Sequence, residues 1–72
     1  MRQLDARGLI CPLPVLKARK VLMEMQSGEM LEVLVTDANT LKDFPLFCTE
    51  SGHILITAKT QDGVHYITVR RS

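Results

Sequence analysis

The sequence predicts a two-layer α/β sandwich of the α+β kind, in which two helices pack on one face of a four-stranded mixed sheet. Two segments carry apolar residues at helical spacing, four favour β-strands, and their order is βαβαββ. A chain of 72 residues has room for one thin hydrophobic core. Six elements in so short a chain fit only two layers, so we expect a single domain over residues 1–72.

The first predicted strand is Arg2–Asp5, with Leu4 facing the core, and the loop Ala6–Ile10 connects it to Cys11. A strand, a helix and a second strand in succession predict a parallel, right-handed unit. The loop that carries Cys11 then lies at the carboxyl end of the first strand, the edge at which open α/β sheets place their sites. We expect the Cys11 side chain to be exposed on this rim, with no deep pocket around it.

The first helix is predicted over residues 12–26. Pro12 suits a first helical position because it has no amide proton and a fixed φ, and Gly28 suits the residue beyond a helix end. The apolar positions within the helix follow at spacings of three, four and three, which predicts one buried face. They are Val15, Ala18, Leu22 and Met25.

The segment Met30–Val35 is largely apolar and β-favouring, which predicts a strand well inside the sheet. The second helix is predicted to follow the capping residues Asp37 and Asn39 and to end at Gly52. Pro45 lies inside this segment and is expected to kink the helix or to restart it as a first-turn residue. The core-facing positions of this helix are Leu41, Phe44 and Cys48.

The last two strands are predicted to form a hairpin. Ile54–Ile56 is the third strand, and Val64–Arg70 alternates well enough for the fourth. Between them, Gln61-Asp62-Gly63 contains the Asp-Gly pair that is typical of tight hairpin turns.

The composition excludes several classes of function. Nine basic and eight acidic residues leave a net charge of +1, which argues against non-specific nucleic-acid binding through many phosphate contacts. The three aromatic residues are too few and too scattered for base stacking, and the four glycines are isolated, so no phosphate-binding loop is indicated. The longest apolar run is far too short to span a bilayer.

The start of the sequence and its cysteine content favour a reducing compartment. No basic leader followed by an apolar stretch opens the sequence, so we expect a cytoplasmic protein. In that compartment the two cysteines are expected to be thiols, not a disulfide.

The segment Cys11-Pro12-Leu13-Pro14 places a cysteine at the start of the first helix. We predict Cys11 at the N-cap, where free amides and the helix macrodipole favour a negative charge. A free thiol with a pKa of about 8.5 is ionised by only a few per cent at neutral pH, and the thiolate is the nucleophile. The helix is therefore predicted to hold the Cys11 pKa below that of a free thiol. The alternative is a small buried hydrophobic residue that happens to precede a helix.

The Cys11-Pro12-Leu13-Pro14 motif, at the start of the first predicted helix, resembles that of the TusA/SirA-like sulfur carrier proteins. The resemblance covers essentially the whole chain, and the Cys-Pro-x-Pro motif is its most specific part. The matching residues are Leu4-Asp5, Gly8, Cys11-Pro12-Leu13-Pro14, Lys17, Arg19, Lys20, Met25–Glu29, Asp43–Cys48 and Gly52-His53.

The resemblance implies a two-layer βαβαββ fold and a sulfur carrier function. Members of the family hold sulfur as a persulfide on the motif cysteine, here Cys11. A cysteine desulfurase or rhodanese-type protein is the implied donor, and a downstream protein is the implied acceptor, as in 2-thiolation of a tRNA wobble uridine. We expect a relay without turnover of its own, a monomer when free, with no cofactor, no metal, and no direct contact with nucleic acid or membrane.

Two groups of residues around Cys11 are assigned supporting roles. Pro12 and Pro14 hold the loop in few conformations, Gly8 supplies a positive φ, and Asp5 bonds nearby amides. A second group is predicted to dock an acidic partner surface, steering encounter more than adding affinity, and the alternative is a solvated basic face. This second group is Arg7, Leu13, Lys17, Arg19 and Lys20.

The second cysteine and the two histidines are assigned structural roles. Cys48 is predicted to be a buried thiol, with the role of a resolving partner for Cys11 as the alternative. His53 and His65 are predicted to be surface or edge residues, because with the cysteines they match no zinc spacing. A catalytic pair of His53 with Cys11 stays open at this point.

Two other classes of function also stay open. A thiol-dependent redox enzyme needs a second exposed thiol, which the core spacing of Cys48 disfavours. A small nucleic-acid-binding or regulatory module is suggested only by the sandwich shape, which is weak evidence for function. Such a module predicts a basic sheet face, and the near-neutral charge disfavours one.

Overall fold

The structure, a computed structural model, describes all of residues 1–72. Its six elements follow the predicted βαβαββ order, and none of its helices is long and apolar enough to cross a membrane. The elements are β1 (Arg2–Asp5), α1 (Leu13–Glu24), β2 (Met30–Val35), α2 (Thr40–Ser51), β3 (Ile54–Gln61) and β4 (Val64–Arg70).

The four strands form one mixed sheet in the order β1-β2-β4-β3. β1 pairs with β2 in parallel, whereas β4 pairs antiparallel with both β2 and β3. On β2 the buried positions Leu31, Val33 and Val35 alternate with more exposed ones, because only one sheet face is covered by helices. The predicted two-layer α+β sandwich with a mixed sheet is therefore confirmed.

The hydrophobic core lies between the helices and the covered face of the sheet. Each helix supplies residues four positions apart, Ala18 and Leu22 from α1 and Phe44 and Cys48 from α2, as the periodicity predicts. The prediction for Leu41 is wrong, because Leu41 is 39% exposed and its neighbour Thr40 is buried instead. Phe44 and Leu22 are the largest fully buried side chains, one from each helix. The core residues are Ala6, Ala18, Leu22, Met25, Leu31, Val33, Val35, Phe44, Cys48, Ile67 and Val69.

Three predicted boundaries are wrong. Helix α1 covers Leu13–Glu24 and is shorter at both ends than the predicted span of 12–26. Strand β3 continues past Ile56 to Gln61, although its later residues are polar and exposed. This strand lies at the sheet edge, where backbone bonding to β4 requires no apolar face.

Pro45 does not restart α2, because the helix runs without interruption from Thr40 to Ser51. A proline inside a helix removes the hydrogen bond to the carbonyl four residues earlier, here that of Leu41. Both Leu41 and Pro45 are exposed, so water can reach the unbonded carbonyl.

The hairpin between β3 and β4 has the predicted Asp-Gly turn. Asp62 and Gly63 both adopt positive φ, at 52° and 77°. Two consecutive positive φ values are those of the two-residue turn that matches the twist of antiparallel strands.

Candidate functional site

Cys11 lies where the loops that follow β1 and β2 meet. These two strands are parallel, so their carboxyl ends share one edge of the sheet, as predicted. Two side chains of the β2–α2 loop hold the loop that precedes Cys11. The Gly8 amide donates to Thr36 Oγ1 at 2.9 Å, and the Cys11 amide donates to Asp37 Oδ2 at 2.8 Å. The position of Cys11 is thus set by a neighbouring loop as well as by its own helix.

The Asp37 carboxylate connects the Cys11 loop to the start of α2. While Oδ2 accepts the Cys11 amide, Oδ1 accepts the Asn39 amide at 3.0 Å. Hydrogen bonds from amides favour the charged form of a carboxyl group. The bond from Cys11, followed by that from Asn39, accordingly lowers the pKa of Asp37.

Cys11 is not the N-cap of α1, contrary to prediction. Pro12 holds that position, and Leu13 and Pro14 form the first turn. Neither proline has an amide proton, and the Leu13 amide already donates to the Ile10 carbonyl at 2.9 Å. The amides that would stabilise a thiolate at a helix start are therefore mostly absent or already bonded.

The pKa of Cys11 is raised, so the prediction of a lowered value is also wrong. The largest cause is a hydrogen bond to the carboxylate of Asp43, and burial and the negative charges of Asp43 and Asp37 act in the same direction. A nearby like charge disfavours ionisation, and a hydrogen bond from the neutral thiol favours the protonated form. In the free protein Cys11 is an accessible cysteine, and its raised pKa favours the protonated thiol.

The Cys11 side chain opens onto a shallow groove between the two helices, which we call the cysteine groove. It has a volume of about 220 Å³. One wall comprises Cys11, Pro12 and Val15. The α2 wall comprises Asp43, Leu46, Phe47 and Glu50. The expectation of an exposed thiol without a deep pocket is met, because Cys11 is exposed and the groove is open to solvent.

Exposed apolar side chains surround the thiol. Leu46 on the groove wall is 61% exposed, and Ile10 immediately before Cys11 is 67% exposed. Leu13, the variable position of the motif, is also exposed. Exposed apolar groups clustered at one place on a small protein mark a surface that can bind another protein.

Asp5 and Gly8 adopt the local geometry that the sequence predicts. The Asp5 carboxylate accepts the backbone amide of Arg7 at 3.1 Å and its guanidinium at 2.9 Å. The side-chain bond from Arg7 lowers the pKa of Asp5 to about 2. Gly8 has a φ of 80°. The charge of Arg7 is therefore paired within its own loop, which distinguishes it from the other basic residues of the predicted docking set.

The three basic residues of α1 are exposed. Arg19 lies two helical turns from Cys11 and borders a second depression with Phe47, Glu50 and Ser51. This depression shares Phe47 and Glu50 with the cysteine groove, so Arg19 stands at the far end of the same seam between the helices. Lys17 and Lys20 project from α1 into solvent.

Cys48 is buried, as predicted, with 4% of its surface exposed. Burial alone raises the pKa of the Cys48 thiol, and no charged group contributes to the shift. Cys11 and Cys48 are both free thiols. An exposed thiol and a core thiol do not form the pair of reactive groups that disulfide exchange requires.

The two histidines differ from each other, and one prediction is wrong. His65 is buried, not at the surface, because it faces the helices on β4, and its Nδ1 lies 2.8 Å from Thr60 Oγ1. His53 is half-buried against Phe47, and its Nδ1 accepts the Ser72 amide at 3.1 Å. His53 does not line the cysteine groove, so the structure does not bring His53 together with Cys11.

Sequence reasoning missed the part played by two acidic residues. Asp37 was predicted only as a helix cap, and Asp43 only as part of a matching segment. The spacing of Asp37 and Asn39 before a helix signals a local cap, but its bond to the Cys11 amide spans 26 residues. Such a contact depends on the pairing of β1 with β2, which no local pattern specifies.

Comparison with known proteins identifies the family. The family model described as "Sulfurtransferase TusA" matches residues 2–71. A crystal structure of a SirA-like protein from Desulfitobacterium hafniense has the same fold, with a TM-score of 0.86 and 28% identity over 97% of this chain and 96% of that one.

Two bacterial relatives are named as sulfur carrier proteins. The first, the sulfur carrier protein TusA of Pseudomonas syringae pv. syringae, is 35% identical over 69 residues, which cover 96% of this chain and 82% of the relative. The second, the sulfur carrier protein TusA of Allochromatium vinosum, is 41% identical over 71 residues, covering 99% and 93%. The chain belongs to the TusA family, and these relatives support a sulfur carrier role.

Proposed function

We propose that Cys11 accepts sulfur as a persulfide from a cysteine desulfurase or a rhodanese-type donor and relays it to a downstream acceptor protein. Formation of 2-thiouridine in tRNA and related sulfur metabolism are the processes that such a relay serves. The proposed setting is the cytoplasm, where a reducing environment keeps Cys11 a free thiol between cycles.

One observation carries this proposal: the only exposed thiol lies on the rim of the sheet, beside an open groove that apolar and acidic side chains line. A carrier must present its sulfur to two different proteins in turn. An exposed rim allows both to approach, whereas an enclosed pocket would fit one small substrate. The groove is shallow enough for the active-site loop of a partner to reach the sulfur directly.

Loading and transfer are both thiol exchange reactions. In loading, the Cys11 sulfur as a thiolate attacks the outer sulfur of the donor persulfide and forms a new S–S bond. The donor S–S bond breaks, and the donor sulfur leaves with the electron pair and takes up a proton. In transfer, an acceptor thiolate attacks the outer sulfur on Cys11, and the Cys11 sulfur becomes the leaving group.

The supporting residues have separate proposed roles in this relay. Asp5, Gly8, Pro12 and Pro14 shape the turn that presents the thiol. The exposed surface of α1 is proposed to guide acidic partner surfaces toward the cysteine groove. Within the predicted docking set of Arg7, Leu13, Lys17, Arg19 and Lys20, the unpaired basic residues of α1 are the strongest candidates for this steering role.

A thiol-dependent redox enzyme is less well supported. Such an enzyme resolves its oxidised cysteine with a second accessible thiol. Cys48, the only other cysteine, is 4% exposed and lies in the core.

The proposal is tested by measuring intact protein mass after incubation with a cysteine desulfurase and cysteine. We expect the wild-type chain to gain at least one sulfur mass that a reductant removes. Cys11→Ser is expected to gain none, while Cys48→Ala, the matched control, loads as wild type does. Equal loading of the Cys11→Ser chain would overturn the assignment of Cys11 as the carrier.

A further inference from the structure

The Asp43 carboxylate lies beside the sulfur atom that the proposed relay uses. Asp43 lines the cysteine groove together with Cys11, and its carboxylate is the main cause of the raised pKa of the Cys11 thiol. One carboxylate oxygen, Oδ2, is buried and has no hydrogen-bond partner among the protein groups. A buried, unpartnered carboxylate oxygen is costly, and a catalytic role is one of the explanations for such a group in a native protein.

Asp43 has no cation to offset its charge. The two salt bridges of the molecule join Arg2 to Glu24 and Arg7 to Asp5. No basic side chain therefore lies within ion-pair distance of Asp43, and its negative charge acts on the adjacent sulfur.

The other charged groups near Cys11 are also acidic. Asp37, from the β2–α2 loop, accepts the Cys11 amide. Glu50, one end of the α2 wall, lies farther along the groove, where it borders the depression shared with Arg19. Helix α1 and its N-cap contribute only apolar groups to the groove, from Val15 and Pro12.

We propose that Asp43 retains the sulfur cargo on Cys11, by holding the proton on the empty thiol and by opposing departure of the Cys11 sulfur as a thiolate. This inference rests on the proposed carrier function and adds a residue that controls it. Asp43 lines the same groove as the reacting sulfur, so it belongs to the reacting site.

Retention follows from the chemistry of thiol exchange. When a small thiolate attacks the outer sulfur of the Cys11 persulfide, a new S–S bond forms and the bond to Cys11 breaks. The electron pair passes to the Cys11 sulfur, which becomes a thiolate next to the Asp43 carboxylate until it takes up a proton. A leaving thiol with a higher pKa leaves more slowly, so Asp43 slows loss of sulfur to unintended thiols.

The same contact protects the empty carrier. Since the thiolate is the reactive form, a raised pKa of Cys11 lowers its reaction rate with small electrophiles at neutral pH. Both states of the free carrier are therefore slow to exchange with small molecules.

The test uses Asp43→Asn, which keeps the size of the side chain and removes its charge. Glu50→Gln is the matched control, because it removes one negative charge from the same groove at a residue that does not act on the Cys11 pKa. Two quantities are measured for each chain: the iodoacetamide alkylation rate of Cys11 against pH, and the rate at which N-acetylcysteine removes sulfur from the loaded protein. Inorganic polysulfide loads all three chains, because it needs no protein docking.

We expect Asp43→Asn to move the alkylation midpoint to lower pH and to raise both rates at pH 7 by about threefold to tenfold. Alkylation rises because one pKa unit is about tenfold in thiolate fraction, and sulfur release rises because a leaving thiol of lower pKa leaves faster. Glu50→Gln is expected to stay within about twofold of wild type for both rates. The inference is overturned if Asp43→Asn and wild type load equally and then alkylate and release sulfur at equal rates, or if Glu50→Gln has the same effect as Asp43→Asn.

The wild-type chain provides a second test that does not depend on folding of any variant. Its alkylation midpoint is expected to lie above about 8.5, the value for a free thiol, and a lower midpoint would contradict the role of Asp43. Failure of the wild-type chain to take up sulfur would instead overturn the proposed function, and the retention role with it.

Discussion

The two cysteines of this chain lie in contrasting regions, although both have raised pKa values. Cys11 is exposed on the sheet rim, and its pKa is raised mainly by the hydrogen bond to Asp43. Cys48 is 4% exposed in the core, and its pKa is raised by burial alone. A charged neighbour raises the pKa of Cys11, whereas burial among apolar groups raises the pKa of Cys48.

The difference shows that a pKa by itself does not identify a reactive thiol. Burial suppresses ionisation and also blocks approach, so a core cysteine stays inert toward any partner. A carboxylate beside an exposed thiol suppresses ionisation but leaves the sulfur reachable. Contact with another protein can therefore change the environment of Cys11, whereas a comparable change at Cys48 would require the core to open.

The largest expected contrast is in the alkylation rates of the two thiols in the native protein. Iodoacetamide should label Cys11 at least about a thousandfold faster than Cys48, because Cys48 reacts only when the core opens. Peptide mapping by mass spectrometry after timed quenching measures both rates in one sample. Comparable labelling rates for the two cysteines without denaturant would contradict the claim that Cys11 is accessible and Cys48 is not.

The next contrast concerns stability. Cys48→Ser places a hydroxyl in the core and should lower the free energy of unfolding by about 1–3 kcal/mol, while sulfur loading persists. Cys48→Ala avoids the polar penalty and leaves only a small void, so it should cost less. Urea denaturation of both variants measures the difference. A folded Cys48→Ala chain that no longer loads sulfur would make Cys48 a participating thiol.

A smaller effect, on the Tm, is expected when the Asp37 carboxylate that accepts the Cys11 amide is removed. Asp37→Ala removes the acceptor for the Cys11 and Asn39 amides and should lower the Tm by about 5 °C at pH 7. The pKa of Asp37 is lowered on folding, so its stabilisation is present above the unfolded pKa, about 3.9, and disappears as the pH falls through the folded value. The Tm difference from wild type should therefore shrink at pH 2–3, and a difference independent of pH would contradict this account.

The smallest effect tests the docking surface. Arg19→Glu combined with Lys20→Glu should slow sulfur transfer between proteins severalfold, most clearly at low salt, because charges on α1 steer the encounter. Alkylation of Cys11 by iodoacetamide should not change. Equal slowing of both reactions would mean that these residues act on the sulfur itself and do not guide partners.

Local sequence patterns predicted the elements and the core because these depend on neighbouring residues. The spacing of Ala18 and Leu22 indicates a buried helical face, and Asp62-Gly63 indicates a tight turn, whatever the rest of the chain does. Boundaries were predicted less well. The exposed half of β3 has no apolar pattern, since an edge strand is held by its backbone bonds to β4.

The environment of Cys11 could not be predicted in the same way. Its position at a helix start suggested a stabilised thiolate, but Pro12 and Pro14 remove two of the amides that would provide it. The opposing charge comes from Asp43, which lies 32 residues away in sequence (43 − 11) and reaches the thiol only because both helices pack on one sheet face. The local sequence is enough to identify Cys11 as the key residue, whereas the protonation state of Cys11 depends on the tertiary fold.

The most direct test of the account follows the sulfur atom itself through one complete transfer. The carrier is loaded by a desulfurase with ³⁵S-cysteine, separated from the donor, and mixed with an acceptor protein that has one reactive thiol. We predict that label bound to Cys11 moves to the acceptor thiol, that Cys48→Ala transfers as wild type does, and that Cys11→Ser never acquires label. If the Cys11→Ser chain acquires label and transfers it as well as wild type does, the claim that Cys11 carries the sulfur is contradicted.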